Sequence, residues 1–125
     1  MKQEVMEKWV AALESGEYKR GKGELKTWQG RFCCLGVLCD IHAKETAGKW
    51  NREMGGSWQY RESTVILPDT VQSWAGMKTD SGWTLDKELY KTPTVAYDSL
   101  ANINDKTRLS FKDIAEIIKK NWEKL

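Results

Sequence analysis

All three cysteines and the chain's single histidine fall in one short stretch, as Cys33, Cys34, Cys39 and His42. Soft ligands of this kind hold zinc, and a thiol beside an imidazole can act as a nucleophile. Neither arrangement is complete here. A structural zinc site needs a fourth ligand that the neighbouring sequence does not supply. A dyad of Cys39 and His42, one helical turn apart, needs an exposed thiolate, yet Phe32, Leu35, Val37 and Leu38 surround it with apolar groups that raise a thiol pKa. The expectation is therefore inert, reduced, buried thiols, with no metal, no cofactor and no catalytic residue. His42 is expected to hydrogen-bond a backbone group at the polar edge of a buried helix.

Other catalytic patterns are weaker still. Asp40, Asp86, Asp98, Asp105 and Asp113 are scattered, and spacing alone pairs none of them as acid and base. Gly21-Lys22-Gly23 is too short for a phosphate-binding P-loop, and no dinucleotide-binding glycine fingerprint occurs.

Two segments have the chemistry to bind rather than react. Between Tyr18 and Arg31 lie Lys19, Arg20, Lys22, Lys26 and Arg31 against one acid, Glu24, with Trp28 among them; phosphate affinity or a solvated loop face would each explain the pattern. Asn104, Asp105, Thr107 and Arg108 precede a helix start, where free backbone N–H groups attract anions. An Asx turn that merely organises the loop is the alternative there. The net charge of +2 is too small for the whole molecule to be a dedicated nucleic-acid binder. Seven tryptophans imply a Trp-rich core or an aromatic recognition surface.

These segments must be carried by a small set of elements. In 125 residues there is room for a single globular domain. Residues 3–14 read as an amphipathic helix ended by Ser15-Gly16, and residues 24–28 as a short strand, with a turn at Gln29-Gly30. Arg31 to Cys33 would finish that strand. A buried central helix follows from Leu35 through Lys44, closed by Gly48, in which Gly36 lets another backbone or an indole approach. Residues 49–67 have strand chemistry, with segments 49–51, 57–61 and 64–67 around a turn at Gly55-Gly56. Pro68 opens a short helix ended by Gly76. Residues 77–97 read as irregular, with one strand or turn near 83–89. Ser110 and Asp113 form a capping-box start for a C-terminal helix striped by Phe111, Ile114, Ala115, Ile118, Trp122 and Leu125. The fold class is α+β: N-terminal, central and C-terminal helices packed with a small antiparallel sheet. Met1-Lys2-Gln3-Glu4 leads straight into the first helix and no apolar run could cross a bilayer, so a cytoplasmic protein with no membrane partner is expected.

The order Trp9, Ala12-Leu13, Ser15-Gly16-Glu17-Tyr18, then Phe32-Cys33-Cys34-Leu35-Gly36-Val37-Leu38-Cys39-Asp40, then Leu67-Pro68, Trp74-Ala75-Gly76, and finally Asn104-Asp105 with Phe111, Ile114, Ala115 and Ile118 resembles a group of small bacteriophage proteins, most of them uncharacterised. The resemblance covers most of the chain and implies phage origin, hence the cytoplasm of a bacterial host. By analogy of lifestyle it implies a counter-defence factor, one class of which sequesters the cyclic nucleotide signals of bacterial immunity. On that reading the protein is a non-enzymatic nucleotide sponge in which Trp50, Trp58 and Tyr60 stack on bases, Arg31 and Arg108 pair phosphate, and Asn104 and Asp105 complete the contacts, with a homo-oligomer closing the pocket. Two alternatives remain: an inhibitor or adaptor that binds a host protein through a tryptophan-containing surface, and a small enzyme using Cys39.

Overall fold

Val5, Met6, Trp9, Val10 and Leu13 share one side of α1 (Gln3–Glu14) and are all buried, as their three- and four-residue spacing requires. The computed structural model describes residues 1–52, 56–84, 86, 88–91 and 97–125. The start of α1 lacks a side-chain cap. The backbone there is tied instead to the end of a later helix, with Lys2 N–H donating to the Ala75 carbonyl at 2.8 Å.

The central helix α2 (Cys34–Thr46) is the middle of the core, and every residue from 34 to 39 is buried. Its start is capped twice. Cys33 Sγ accepts from Gly36 N–H at 3.3 Å, and the side chain of Asn104 accepts from Cys34 N–H at 3.0 Å. A Cβ on Gly36 would lie 1.7 Å from the Leu25 carbonyl oxygen, so the absence of a side chain lets the preceding loop lie on the first turn of the helix, as the sequence anticipates. The Trp9 indole donates to the Cys34 carbonyl at 2.9 Å and joins α1 to the same turn.

The sheet is smaller than the strand-like composition suggests. β1 (Trp50–Arg52) and β2 (Trp58–Tyr60) pair antiparallel, with Trp50 opposite Tyr60, Asn51 opposite Gln59 and Arg52 opposite Trp58. Residues 64–67 do not form a third strand. Tyr60 and Ser63 close a two-residue turn, after which Thr64 accepts a hydrogen bond from Leu25 N–H at 2.7 Å and the chain leaves the sheet. The expected strand at 24–28 is likewise reduced to isolated bridges from Arg20 and Lys26 to Phe32. Pairing one residue at a time leaves each of these segments free to turn toward the helices. The expected turn at Gly55 and part of the stretch near 83–89 lie outside the described residues.

Pro68 sits just outside α3 (Asp69–Ala75) as its N-cap, rather than within its first turn, and Gly76 ends the helix in the left-handed region at φ 68°. A second correction is larger. Residues 100–106 form a helix, α4 (Leu100–Lys106), capped by Ser99 Oγ accepting from Asn102 N–H; the sequence reading leaves this segment as a loop. The capping box of Ser110 and Asp113 opens α5 (Phe111–Asn121) as anticipated, and a short 3-10 turn spans Trp122–Lys124. α1 lies against both α5 and α2, and α2 against α4. The architecture is α+β, a set of packed helices with, among the described residues, one two-stranded antiparallel sheet. Among the described residues no helix is long and apolar enough to cross a membrane.

Candidate functional site

The thiols are not placed to react. Cys33, Cys34 and Cys39 are free and buried, and burial pushes Cys33 up to about 12 and the other two well above their ordinary value. A thiolate is therefore scarce near neutrality. Among the described residues no three His, Cys, Asp or Glu side chains gather as a metal-ligand set. The partner of His42 is a side chain and not the expected backbone group: its Nδ1 and the Tyr60 hydroxyl are 2.6 Å apart, with the Trp74 ring edge-on at 5.1 Å.

A cation and aromatic cluster forms where the hairpin meets the loop of residues 19–31. Lys26 Nζ lies 4.3 Å from the centroid of the Trp58 ring and 5.4 Å from those of Trp50 and Phe32, while the Arg52 guanidinium is 5.5 Å from the Trp58 ring. The rings are themselves braced. Phe32 meets Tyr18 at 5.0 Å and Trp50 at 5.9 Å, both edge-on, and Trp50 packs on Tyr60 at 5.1 Å. Asp40 holds the outer rim: one carboxylate oxygen accepts from the Trp50 indole at 3.0 Å and the other from the Tyr18 hydroxyl at 2.5 Å. Burial, and then that bond to Asp40, raises the Tyr18 pKa. Lys44 closes the rim, donating to the Tyr18 oxygen at 3.1 Å and lying 3.4 Å from Asp40.

Beyond Lys26 the loop narrows to a tight tip. Thr27 N–H donates to the Arg31 carbonyl at 2.7 Å and Gly30 N–H to the Thr27 carbonyl at 2.9 Å, and Thr27 Oγ1 accepts from Arg31 N–H. This braced tip carries Trp28 at 66% exposure. At that exposure the indole forgoes most of the about 2 kcal/mol that burying it would contribute.

The other face of the hairpin has a different character. Lys49, Asn51, Gln59, Arg61, Glu62 and Thr70 line an open, polar groove of about 570 Å³ between the hairpin and the start of α3.

Of the residues singled out by the sequence, the structure brings Trp50 and Trp58 together around Lys26, with Tyr60 packed on Trp50, and leaves Arg31 exposed at the base of the Trp28 tip. Tyr60 is wholly buried, so it supports the other rings rather than facing solvent. Asn104 and Asp105 belong elsewhere, inside α4. The buried Asn104 carboxamide accepts from Cys34 N–H and donates to the Gly21 carbonyl at 2.9 Å, and Asp105 accepts from Gly23 N–H at 3.0 Å. Both are committed to holding the 19–31 loop, assisted by Arg20, whose guanidinium donates to the carbonyls of Thr107 and Leu109. Arg108 is exposed on the connection to α5. The sequence marks Lys26 and Trp28 only as part of a basic stretch and Asp40 only as one of several scattered acids, and it gives no sign of Arg52 or the groove, because both depend on pairing across the hairpin.

No curated protein and no solved structure matches this chain. Residues 1–122 match the model of a family described as a domain of unknown function, DUF8296. With the match spanning nearly the whole chain, the protein belongs to the DUF8296 family.

Proposed function

We propose that the protein is a non-catalytic binding protein whose ligand is a nucleotide-class anion, held at the face formed by the 19–31 loop and the aromatic side of the hairpin. The observation that carries this reading is Lys26 seated over three aromatic rings beside an ordered loop that presents Trp28 and Arg31 to solvent. Indoles stack on any base, at about 1–3 kcal/mol per base, and Lys26, Arg31 and Arg52 supply the charge that phosphates need. The buried, protonated thiols favour binding over cysteine catalysis. On the resemblance to small phage proteins, the ligand would be a cyclic nucleotide signal of bacterial immunity and the protein would act by sequestering it in the host cytoplasm, as a homo-oligomer if a second copy closes the open face.

A second reading rests on the same tip. An exposed Trp with a neighbouring Arg is the residue combination that dominates protein interfaces, and the face is open rather than enclosed, so a host protein could dock there.

The test is a thermal-shift panel of cyclic di- and trinucleotides, cyclic ADP-ribose variants and linear dinucleotides, run on the native protein and on Trp28→Ala. Binding raises the melting temperature by mass action, with about 2.7 kcal/mol gained at a hundredfold excess over Kd. The expected result is a shift in the native protein that Trp28→Ala loses, with the nucleotide recovered intact after heating. A panel without any shift sinks the nucleotide reading. A stoichiometric host partner that the native protein captures and Trp28→Ala does not would then establish the second.

A further inference from the structure

The turn that joins β2 to Ser63 is built against its own residue types. Tyr60 and Ser63 exchange both backbone hydrogen bonds, at 2.9 and 3.0 Å, which leaves Arg61 and Glu62 alone to reverse the chain. Both sit in the left-handed region, Arg61 at φ 47° and Glu62 at φ 71°. Two-residue hairpin turns of this hand favour Asn-Gly or Gly-Gly, because in that conformation a Cβ crowds the following carbonyl oxygen. Here two long charged side chains accept the cost.

The groove beside this turn is lined by charged and amide side chains. Asn51 and Gln59 are cross-strand partners, Lys49 lies just before β1 and Arg61 just after β2, and all four line the same groove. Among the described residues no carboxylate lies within ion-pair distance of Lys49 or Arg61. The positive charge of Arg61 is also felt at His42, where it adds to burial in lowering the imidazole pKa. Arg61 and Glu62 are both exposed, so no core packing offsets the strain. Residues held in sparsely populated backbone regions cluster at active sites and ligand clamps.

We infer that this groove is a second binding site, independent of the aromatic face, for a small hydroxyl-rich phosphomonoester. Its phosphoryl oxygens take the two cations, Lys49 and Arg61, with the guanidinium able to offer paired donors to two oxygens at once. The body of the ligand lies on Asn51 and Gln59, whose carboxamides both donate and accept, while Thr70 and the Glu62 carboxylate receive its hydroxyl groups. A nucleoside monophosphate and a free sugar phosphate share this chemistry.

The experiment is isothermal titration of the native protein with ribose 5-phosphate, adenosine 5′-monophosphate and unphosphorylated ribose, repeated on Arg61→Gly, Glu62→Gly and Trp28→Ala. Arg61→Gly relieves the strained φ, so it is expected to melt higher than the native protein while its affinity for the phosphorylated probes falls at least tenfold. Glu62→Gly should also melt higher but keep the phosphate contact, and Trp28→Ala should leave the groove's affinity unchanged. Equal binding of both phosphorylated probes would assign recognition to the sugar phosphate, and binding of the monophosphate alone would assign it to a nucleotide; either supports the site. Failure of both to bind the native protein, or undiminished binding by Arg61→Gly, overturns it. Loss of groove binding in Trp28→Ala would show that the aromatic face, not this groove, is what the probes occupy, and would overturn it too.

Discussion

The carbonyl oxygen of Leu25 occupies the space where a side chain on Gly36 would begin, 1.7 Å from the position of its Cβ. The same oxygen accepts from Cys33 N–H at 3.2 Å, so the loop carrying Lys26 is fastened directly to the first turn of α2. Because the obstacle is backbone on both sides, Gly36→Ala is expected to cost about 3 kcal/mol or more. Chemical denaturation would read this as a lower midpoint. An unchanged midpoint would remove the contact from the fold.

Asn104 should be a stability residue. Its carboxamide serves the Cys34 N–H and the Gly21 carbonyl in a site with no exposure to solvent. Asn104→Ala strands both groups and is expected to destabilise by about 2 kcal/mol or more, since each unpaired buried group costs about 1–3 kcal/mol. Loss of ligand binding without loss of stability, measured on the same sample, would contradict this placement and return Asn104 to the contact set.

The thiols make a kinetic prediction. With Cys33 pushed up to about 12 by burial and Cys34 and Cys39 also raised by burial, iodoacetamide at neutral pH should leave the folded protein unmodified and alkylate all three cysteines once it is unfolded. Intact-mass spectrometry reads both states. Rapid labelling of Cys39 alone in the folded protein would revive the enzymatic reading.

Acid should weaken the protein through His42. Burial first, and Arg61 second, hold its pKa below the ordinary 6.5, with Glu45 opposing them. The unfolded chain therefore binds the proton more readily than the folded one, and the stability is present above about pH 6.5 and lost as the pH falls through the folded value. The melting temperature should drop over that range in the native protein and drop less in His42→Gln. Parallel pH profiles for the two would assign the acid sensitivity to other groups.

The sequence declared those parts of the fold whose cause is local. α1 and α5 are legible because a long apolar stripe and, for α5, a capping box act within one segment; Gly36 is legible because it interrupts a buried helix. α4 is missed because its seven residues are too short to repeat an apolar period, and Leu100 and Ile103 give only a single turn of it. The strand chemistry of residues 24–28 and 64–67 is real in composition, but Leu25 and Thr64 spend it on one hydrogen bond to each other. The site divides the same way. Trp50, Trp58 and Tyr60 are legible as aromatics of one hairpin, whereas the position of Lys26 over the two indoles comes from docking a distant loop. Asn104 is misplaced for the same reason: only the tertiary fold sets it against α2.

Lys26 and Arg52 over the Trp58 ring also furnish the molecule with a reporter of its own. A cation held against an indole perturbs its excited state, so anything that draws either charge away toward a bound phosphate should alter the intrinsic emission, and occupancy of this face could be followed by light without attaching a dye.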